Sequence, residues 1–217
     1  LFMSVAKIIA VYVVIYIALS MSYEGNLLHI HWTNLLLFAG SGVLTLFAYP
    51  LIFAFEKLFS LVSDISLLEL ADTNSPLLRR LSEEAPGTFQ HSLQVANLAE
   101  EGIVKIGGNA LLTRAGAIYH DIGKLTNPMY FIENQSSGLN PHDELSFNES
   151  AELIINHVMD GIELAKEHNL PDELIDFIRT HHGTTTMQYF YKQFITNFPK
   201  EEVDVQDFTY LGPKPFS

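Results

Sequence analysis

The sequence predicts an all-α protein in which two transmembrane helices precede a helical domain. Three observations lead to this expectation. The first sixty or so residues carry almost no charge, whereas the rest of the 217-residue chain has the composition of an acidic globular domain. Apolar residues recur at helical spacing from residue 56 onward. No segment shows the alternating pattern of a β-strand.

The two apolar runs at the N-terminus have the length of membrane-spanning helices. Residues 2–21 contain one charged residue, Lys7, and residues 35–55 contain none. Each run is close to the roughly 20 residues that cross a bilayer as a helix. A signal peptide fits the first run poorly, because its apolar region is too long and no cleavage site precedes a soluble domain.

Basic residues predict the orientation of these helices. The link at 22–34 has no lysine or arginine, whereas Lys57, Arg79 and Arg80 follow the second run. Since basic residues favour the cytoplasmic side, we expect the link outside and everything after Lys57 in the cytoplasm of the cell.

The remainder of the chain divides into a connector and a domain. Residues 56–75 are predicted as one helix, which Pro76 and the polar residues before it end. Five further helices are predicted, at 92–106, 109–120, 147–167, 171–182 and 185–198. The last carries an aromatic stripe that is typical of a core, and residues 134–141 are predicted as a surface loop. We therefore assign 1–56 to two transmembrane helices, 57–76 to a helical connector and 77–217 to the domain.

Composition restricts the function of the domain. The formal net charge is −13, with only 12 lysines and arginines. We therefore expect that the domain does not bind long nucleic acids, because proteins that bind them usually carry a basic face. The absence of cysteine excludes disulfides and thiolate metal sites within this sequence. A bound metal would use His, Asp and Glu, which suit iron, manganese, zinc or magnesium.

Histidines at the ends of predicted helices form the candidate site. His120 and Asp121 are adjacent, so both side chains can enter one pocket, and the two oxygens of Asp121 can bridge two cations. The other candidates are His91, His157, His181 and His182. Taken singly, each is typical of an ordinary surface or core histidine, and the interpretation depends on their order.

That order and its context resemble the seven-transmembrane-receptor HD hydrolases, bacterial membrane phosphodiesterases of the HD phosphohydrolase superfamily. The similar segments are Gly-Thr-Phe-Gln-His-Ser at 87–92, His-Asp-Ile-Gly-Lys at 120–124, Asn-His-Val at 156–158, His-His-Gly-Thr at 181–184 and Gly-Pro-Lys-Pro at 212–215. The resemblance extends over the whole chain, from the membrane helices to the HD domain.

The resemblance implies a membrane-bound enzyme that hydrolyses cyclic di-AMP to the linear dinucleotide pApA, with a water activated by two divalent metals, iron or manganese. His91, His120 and Asp121 would hold one metal, and Asp121, His157, His181 and His182 the other. Asp121 and Lys124 would be catalytic. Lys124, Thr184 and Lys214 would contact the substrate. The expected partners are this cyclic dinucleotide and the lipid bilayer, and the sequence leaves open whether a homodimer forms.

The sequence departs from the family pattern at its end. The pattern continues to a further metal-binding aspartate beyond the Gly-Pro-Lys-Pro segment, whereas this sequence stops at Ser217. It also begins within an apolar run, at Leu1. We therefore expect a fragment whose HD domain is incomplete.

Three alternative functions stay open at this point. An HD-GYP phosphodiesterase for cyclic di-GMP would continue the double histidine with glutamate, whereas Gly183 and Thr184 follow it here. A nucleoside triphosphohydrolase would usually lack the membrane helices. A non-catalytic nucleotide-sensing module would not need the six-residue ligand set.

Overall fold

The computed structural model describes residues 2–25, 31–59, 61–135, 138 and 140–215. The chain forms two compact units, Leu1–Ser63 and Asp64–Ser217. Both are helical, and an isolated bridge between Thr186 and Thr209 is the sole β pairing among the described residues. The prediction of an all-α protein is confirmed.

The first two helices of the first unit pack antiparallel to each other. Helix α1 covers Phe2–Glu24 and α2 covers Trp32–Leu44. The rings of Tyr16 and Phe38 lie 5.5 Å apart, and the Asn34 side-chain amide donates to the Tyr16 hydroxyl at 3.0 Å. At the other end of the pair, Gly42 lies against Ile9, so closely that a Cβ at residue 42 would be 2.2 Å from the Ile9 side chain.

Helix α1 is long and apolar enough to cross a membrane by length and composition. The second apolar run is not one straight helix. A 3₁₀ turn at Thr45–Phe47 follows α2, and α3 then covers Ala48–Phe59, with a bend of 42° between the two parts. Pro50 lies at this bend, where its ring and missing N–H disfavour a regular helical turn. Together, α2 and α3 count as a second candidate span only if the bent pair crosses as one.

The connector differs from the single helix predicted at 56–75. Helix α3 ends at Phe59, residues 61–63 are not helical, and α4 covers Asp64–Leu70. The Ser63 backbone N–H donates to the Glu56 carboxylate at 2.8 Å, which satisfies a donor outside the helix. The apolar spacing predicted a helix correctly on both sides, but this spacing does not reveal an interruption of a few residues.

Six further helices follow α4 in the second unit. Their bounds are α5 Pro76–Glu84, α6 Pro86–Ile106, α7 Ala110–Tyr119, α8 Phe147–Glu167, α9 Asp172–Thr180 and α10 Gln188–Asn197. Prolines begin α5 and α6, where the missing N–H costs no helical hydrogen bond. Asn109 caps α7 by accepting from the Leu112 N–H, and a capping box of Ser146 and Glu149 begins α8.

Helix α7 lies at the centre of this unit and packs against α4, α6 and α9. Its residues from Ala115 to Tyr119 are all buried. The Tyr119 hydroxyl donates to the Leu70 carbonyl at 3.0 Å, which fixes the end of α4 on α7. The residue after α7 is His120, so the most buried helix of the domain ends at the candidate site.

The predicted aromatic stripe on α10 is partly in the core. Phe190 is buried with Ala151 and Phe208, and Tyr191 and Phe194 pack at the edge of this cluster, whereas Tyr189 is exposed. This cluster packs α10 against α8.

Candidate metal centre

Asp121 follows His120 directly after α7, where the chain leaves the helix. Its backbone has φ −109° and ψ 16°, in the bridge region where active-site residues often lie. A 3₁₀ turn at Ile122–Leu125 follows and packs against α8. There Gly123 touches the backbone of α8 so closely that an added Cβ would be 1.8 Å from the His157 carbonyl oxygen. This contact holds Asp121 beside His157.

The Asp121 carboxylate is buried, and its two oxygens face different side chains. Oδ1 lies 3.3 Å from His157 Nε2 and 3.5 Å from His181 Nε2. Oδ2 lies 3.2 Å from His120 Nε2 and 4.0 Å from His91 Nε2. Two groups of candidate ligands therefore share this residue, namely Asp121 with His157, His181 and His182, and Asp121 with His91 and His120.

Backbone contacts orient three of the imidazoles. Nδ1 of His120 lies 2.7 Å from the Ala117 carbonyl oxygen, and Nδ1 of His181 lies 2.8 Å from that of Ile178. His157 makes the same contact with Ile154. Since a carbonyl oxygen only accepts hydrogen bonds, each Nδ1 carries a proton. In a neutral ring this leaves a lone pair on Nε2, the atom that points into the site.

These orientations bring hydrogen-bond acceptors together without a donor between them. His157 Nε2 and His181 Nε2 lie 3.2 Å apart, and both face Oδ1 of Asp121. Oδ1 is buried and, among the described residues, makes no hydrogen bond of good geometry. Two lone pairs and a carboxylate oxygen that converge in this way fit a bound cation, and their N and O atoms suit a divalent metal ion.

Protonation of the site follows from the same contacts. Burial alone would raise the pKa of Asp121, but His120, His157 and His181 outweigh it and hold this pKa well below 3.8. Burial lowers the pKa of His181, although Asp121 opposes this. Burial and repulsion from His181 and His157 lower the pKa of His182 to about 3. The carboxylate is therefore charged and His182 neutral at physiological pH, the forms that bind metals.

Lys124 reaches the first ligand group from the 3₁₀ turn. Its Nζ lies 2.8 Å from Oδ2 of Asp121 and 2.7 Å from the Glu133 carboxylate, with 13% of its side chain exposed. Burial would lower the pKa of Lys124, but the charges of Asp121 and Glu133 outweigh it and raise this pKa. The ammonium is thus a fixed positive charge beside the cluster.

Glu133 is a site residue that the sequence analysis missed. It accepts from Lys124 and, at 3.1 Å, from the Thr88 hydroxyl. Asn134 accepts from the Thr88 backbone N–H at 3.0 Å and donates to the Thr88 hydroxyl at 2.9 Å. Asn134 was predicted to begin a plain surface loop, but its side chain anchors this segment on the start of α6. The sequence feature that best indicates this contact is the pair Gly87-Thr88. Glycine is needed there because a Cβ at residue 87 would be 1.8 Å from the Glu133 carbonyl oxygen.

The other two predicted substrate contacts lie at the edge of the site. Thr184 and Lys214 are both exposed, and no polar contact joins either of them to Asp121 in the described part of the chain. Their segments meet at Gly183, whose added Cβ would lie 3.6 Å from the Lys214 backbone. The structure therefore brings the two segments together next to His182.

Tyr210 was not among the predicted site residues. Its ring stacks on His182, with ring centres 4.0 Å apart and an angle of 15° between the planes. Burial, and then the charge of Asp121, raise the pKa of its hydroxyl, so Tyr210 stays neutral. The isolated bridge between Thr186 and Thr209 joins this segment to the link between α9 and α10, a long-range pairing that the sequence pattern does not reveal.

Comparison with known proteins agrees with this geometry. The HD domain family matches residues 88–209. The chain is 48% identical over 161 residues to the cyclic-di-AMP phosphodiesterase PgpH of Listeria monocytogenes, and 44% identical over 163 residues to that of Bacillus subtilis. These alignments cover 74% and 75% of this chain but 22% and 23% of the relatives, so the chain spans about a fifth of their length.

A solved structure has the same fold. The HD domain of L. monocytogenes PgpH in complex with cyclic-di-AMP aligns with a TM-score of 0.63 at 48% identity, covering 66% of each chain. With the family match over more than half of its residues and a histidine–aspartate cluster where the family motif predicts it, this chain belongs to the HD domain family.

Proposed function

We propose that this chain is a metal-dependent phosphodiesterase that hydrolyses cyclic di-AMP to pApA. The observation that carries the proposal is the convergence of His157 Nε2, His181 Nε2 and Asp121 Oδ1 without a hydrogen-bond donor between them. The names of its relatives support the substrate, because PgpH of L. monocytogenes and of B. subtilis are cyclic-di-AMP phosphodiesterases.

The proposed cofactors are two divalent ions, iron or manganese, one in each ligand group. His91, His120 and Asp121 would contribute to the first site, and Asp121, His157, His181 and His182 to the second. Such ions would act as Lewis acids on a phosphodiester and would lower the pKa of a bound water.

The residues of the chain orient the reactants around this centre. Asp121 fixes the separation of the two ligand groups, because one rigid carboxylate belongs to both. Lys124 offers an ammonium, which would contact a phosphate oxygen and offset its charge. The side chain of His91 is half exposed, so the first ligand group is open to solvent and to an incoming substrate.

We propose further that the protein is a multi-pass membrane protein with its HD domain in the cytoplasm. In this arrangement residues 1–56 interact with lipid and residues 57–76 connect them to the domain at 77–217. Support comes from the apolar helix α1, from the bent pair of α2 and α3, and from the position of Lys57, Arg79 and Arg80 after the second apolar run.

The activity is tested on the detergent-solubilised protein that carries the whole of this sequence. The protein is loaded with manganese or with iron(II), incubated separately with cyclic di-AMP and cyclic di-GMP, and the products are separated by chromatography. We expect pApA from cyclic di-AMP and a much slower reaction of cyclic di-GMP. Stoichiometric metal without turnover of either compound would instead identify a sensor module.

A further inference from the structure

The Lys124 side chain is held by a short segment, residues 131–134, that contributes to neither ligand group. Within this segment the Glu133 carboxylate accepts from Lys124 Nζ at 2.7 Å, and the Phe131 ring faces the ammonium with its centre 5.0 Å from Nζ. Phe131 is buried and packs edge-on against the His157 ring. The segment therefore contacts Lys124 through a negative charge and through an aromatic face, both of which attract a cation.

A directional chain of hydrogen bonds fixes this carboxylate to α6. The Asn134 side-chain amide donates to the Thr88 hydroxyl at 2.9 Å, and that hydroxyl donates to Glu133 Oε1 at 3.1 Å. Thr88 is fully buried and lies one turn before His91 on the same helix. The helix that offers a ligand to the first group therefore also supports the carboxylate that holds Lys124.

Asp121 alone is a poor anchor for this ammonium. Its Oδ2 lies 2.8 Å from Lys124 Nζ, but the same oxygen lies 3.2 Å from His120 Nε2 and belongs to the first ligand group. A cation held by Oδ2 would compete with the ammonium for this oxygen and would repel it, because both are positive. Glu133 belongs to neither ligand group among the described residues, so its charge stays available to Lys124.

We propose that Glu133 is a positioning residue, which holds the Lys124 ammonium where a phosphodiester meets the cluster, and that Thr88 fixes the Glu133 carboxylate in turn. The proposal rests on the phosphodiesterase function proposed above. A positive charge that already points at the reacting phosphate stabilises the transition state more than one that must first reorient. Loss of Glu133 therefore slows turnover, although Glu133 is not a ligand candidate.

The test is a double-mutant cycle on the detergent-solubilised protein. Glu133→Gln keeps the size of the side chain and an acceptor oxygen but removes the charge, and Lys124→Met keeps most of the apolar stem but removes the ammonium. The parent, both single variants and the double variant are loaded with manganese. They are assayed on cyclic di-AMP and on bis(4-nitrophenyl) phosphate, a phosphodiester without a nucleoside. Glu144→Gln, at an exposed glutamate outside both ligand groups, is the matched control.

Glu133→Gln is expected to lower kcat on both substrates about 10-fold and to change KM by less than about twofold, the pattern of an interaction that matters mainly in the transition state. In the Lys124→Met background the same substitution should cause no further loss, because Glu133 acts through the ammonium. Glu144→Gln should match the parent. Glu133→Asp keeps the charge on a shorter side chain and should lower kcat by a smaller factor, and it decides the question if the glutamine variant does not fold.

Two further measurements do not depend on turnover. The metal content of all four proteins should be the same, since neither Glu133 nor Lys124 is a ligand candidate. In the metal-free protein, Glu133→Gln should lower the urea midpoint of unfolding, but it should not do so in the Lys124→Met background. This second cycle decides whether the two side chains are coupled if Lys124→Met reacts too slowly to be assayed.

The inference and the proposed function fail in distinguishable ways. If Glu133→Gln leaves kcat unchanged, or lowers it by the same factor with and without the ammonium, Glu133 does not position Lys124, and the phosphodiesterase function stands. If the parent hydrolyses bis(4-nitrophenyl) phosphate but not cyclic di-AMP, the proposed substrate is wrong, and the cycle on bis(4-nitrophenyl) phosphate still decides the role of Glu133. If the parent hydrolyses neither compound, both proposals are rejected.

Discussion

Asp121 is the residue on which both ligand groups depend. It is 3% exposed and ionised, and its two oxygens face separate sets of imidazoles. A charged, buried carboxylate is costly unless it is paired, and here the partners are the histidines and Lys124. The charge of Asp121 therefore attracts the side chains around it, and its two oxygens hold the two ligand groups next to each other.

Removing the shared ligand should affect both groups at once. We expect Asp121→Ala to lose both metals, whereas His157→Ala should mainly empty the second site, because His157 faces Oδ1 alone. Elemental analysis of the purified variants measures this. His168→Ala is the control, since His168 lies outside both ligand groups. Unchanged metal content in Asp121→Ala would contradict the assignment of a bridging carboxylate.

Glu133 acts on the site through Lys124. Its side chain is 25% exposed, and it accepts from Lys124 and Thr88. Burial would raise the pKa of Glu133, but the hydrogen bond and charge of Lys124 outweigh it and lower this pKa below 4.5. The folded state therefore favours the charged carboxylate more than the unfolded state does.

This shift predicts a pH dependence of stability. Because the folded pKa is depressed, the contribution of Glu133 is complete above about pH 4.5 and is lost as the pH falls through the lower folded value. Glu133→Gln should cost about 1–2 kcal/mol of unfolding free energy at neutral pH and nothing at the acid end. Denaturant unfolding of the metal-free protein over this range measures it.

The control for this measurement is Glu144→Gln, a substitution at an exposed glutamate. It should leave the pH profile of the parent unchanged. If the unfolding free energies of Glu133→Gln and the parent differ by the same amount at every pH, the ion pair of Glu133 with Lys124 does not contribute to stability.

At the scale of elements, the site depends on how closely the 3₁₀ turn after α7 approaches α8. Gly123 meets the His157 carbonyl oxygen, and the backbone of Gly161 lies beside it. Neither neighbour is a flexible side chain, so neither can move aside. The two glycines bring the peptide backbones together and thereby set the distance from Asp121 to His157.

A methyl group at this contact should separate the two elements. Gly123→Ala is expected to destabilise the domain by about 3 kcal/mol, because backbone atoms must shift, and to lower metal affinity along with stability. Gly102→Ala is the matched control: an added Cβ has no neighbour within 4 Å on α6, and alanine should stabilise that helix by up to about 1 kcal/mol. Thermal and denaturant unfolding compare the two. Equal stability of both variants would mean that the contact at Gly123 tolerates a Cβ.

At the scale of the whole molecule, the two units have different surfaces. The first unit exposes large apolar side chains along α1, α2 and α3, whereas nearly all of the buried apolar residues among those described belong to the second unit. Exposed apolar surface of this extent is typical of a lipid contact. This difference supports the proposed division into a membrane part and a cytoplasmic domain.

Thiol labelling in whole cells tests the orientation. Since the sequence has no cysteine, Ser22→Cys and Ser63→Cys each introduce one thiol into it. With an impermeant reagent we expect the thiol at residue 22 to react and the thiol at residue 63 to be protected until the cells are permeabilised. The reverse labelling would place the HD domain outside the cell.

The sequence by itself determined the helical class, the apolar segments and the candidate ligands. Apolar spacing follows directly from which face of a helix is buried, so α7 and α8 were predicted almost residue by residue. The order of His91, His120, Asp121, His157, His181 and His182 was enough to expect one cluster, because those residue types at helix ends resemble one family.

Only the tertiary structure decided how these residues meet. The split of Asp121 between two groups of imidazoles, the ion pair of Glu133 with Lys124 and the stacking of Tyr210 on His182 are contacts between segments distant in the chain. At residues 61–63, which are not helical, the Ser63 N–H donates to the Glu56 carboxylate, a contact that apolar spacing does not encode. The periodicity of apolar residues indicates which side of a helix faces a core. It does not encode which segment packs on that side, and the distances between the two segments are fixed by packing.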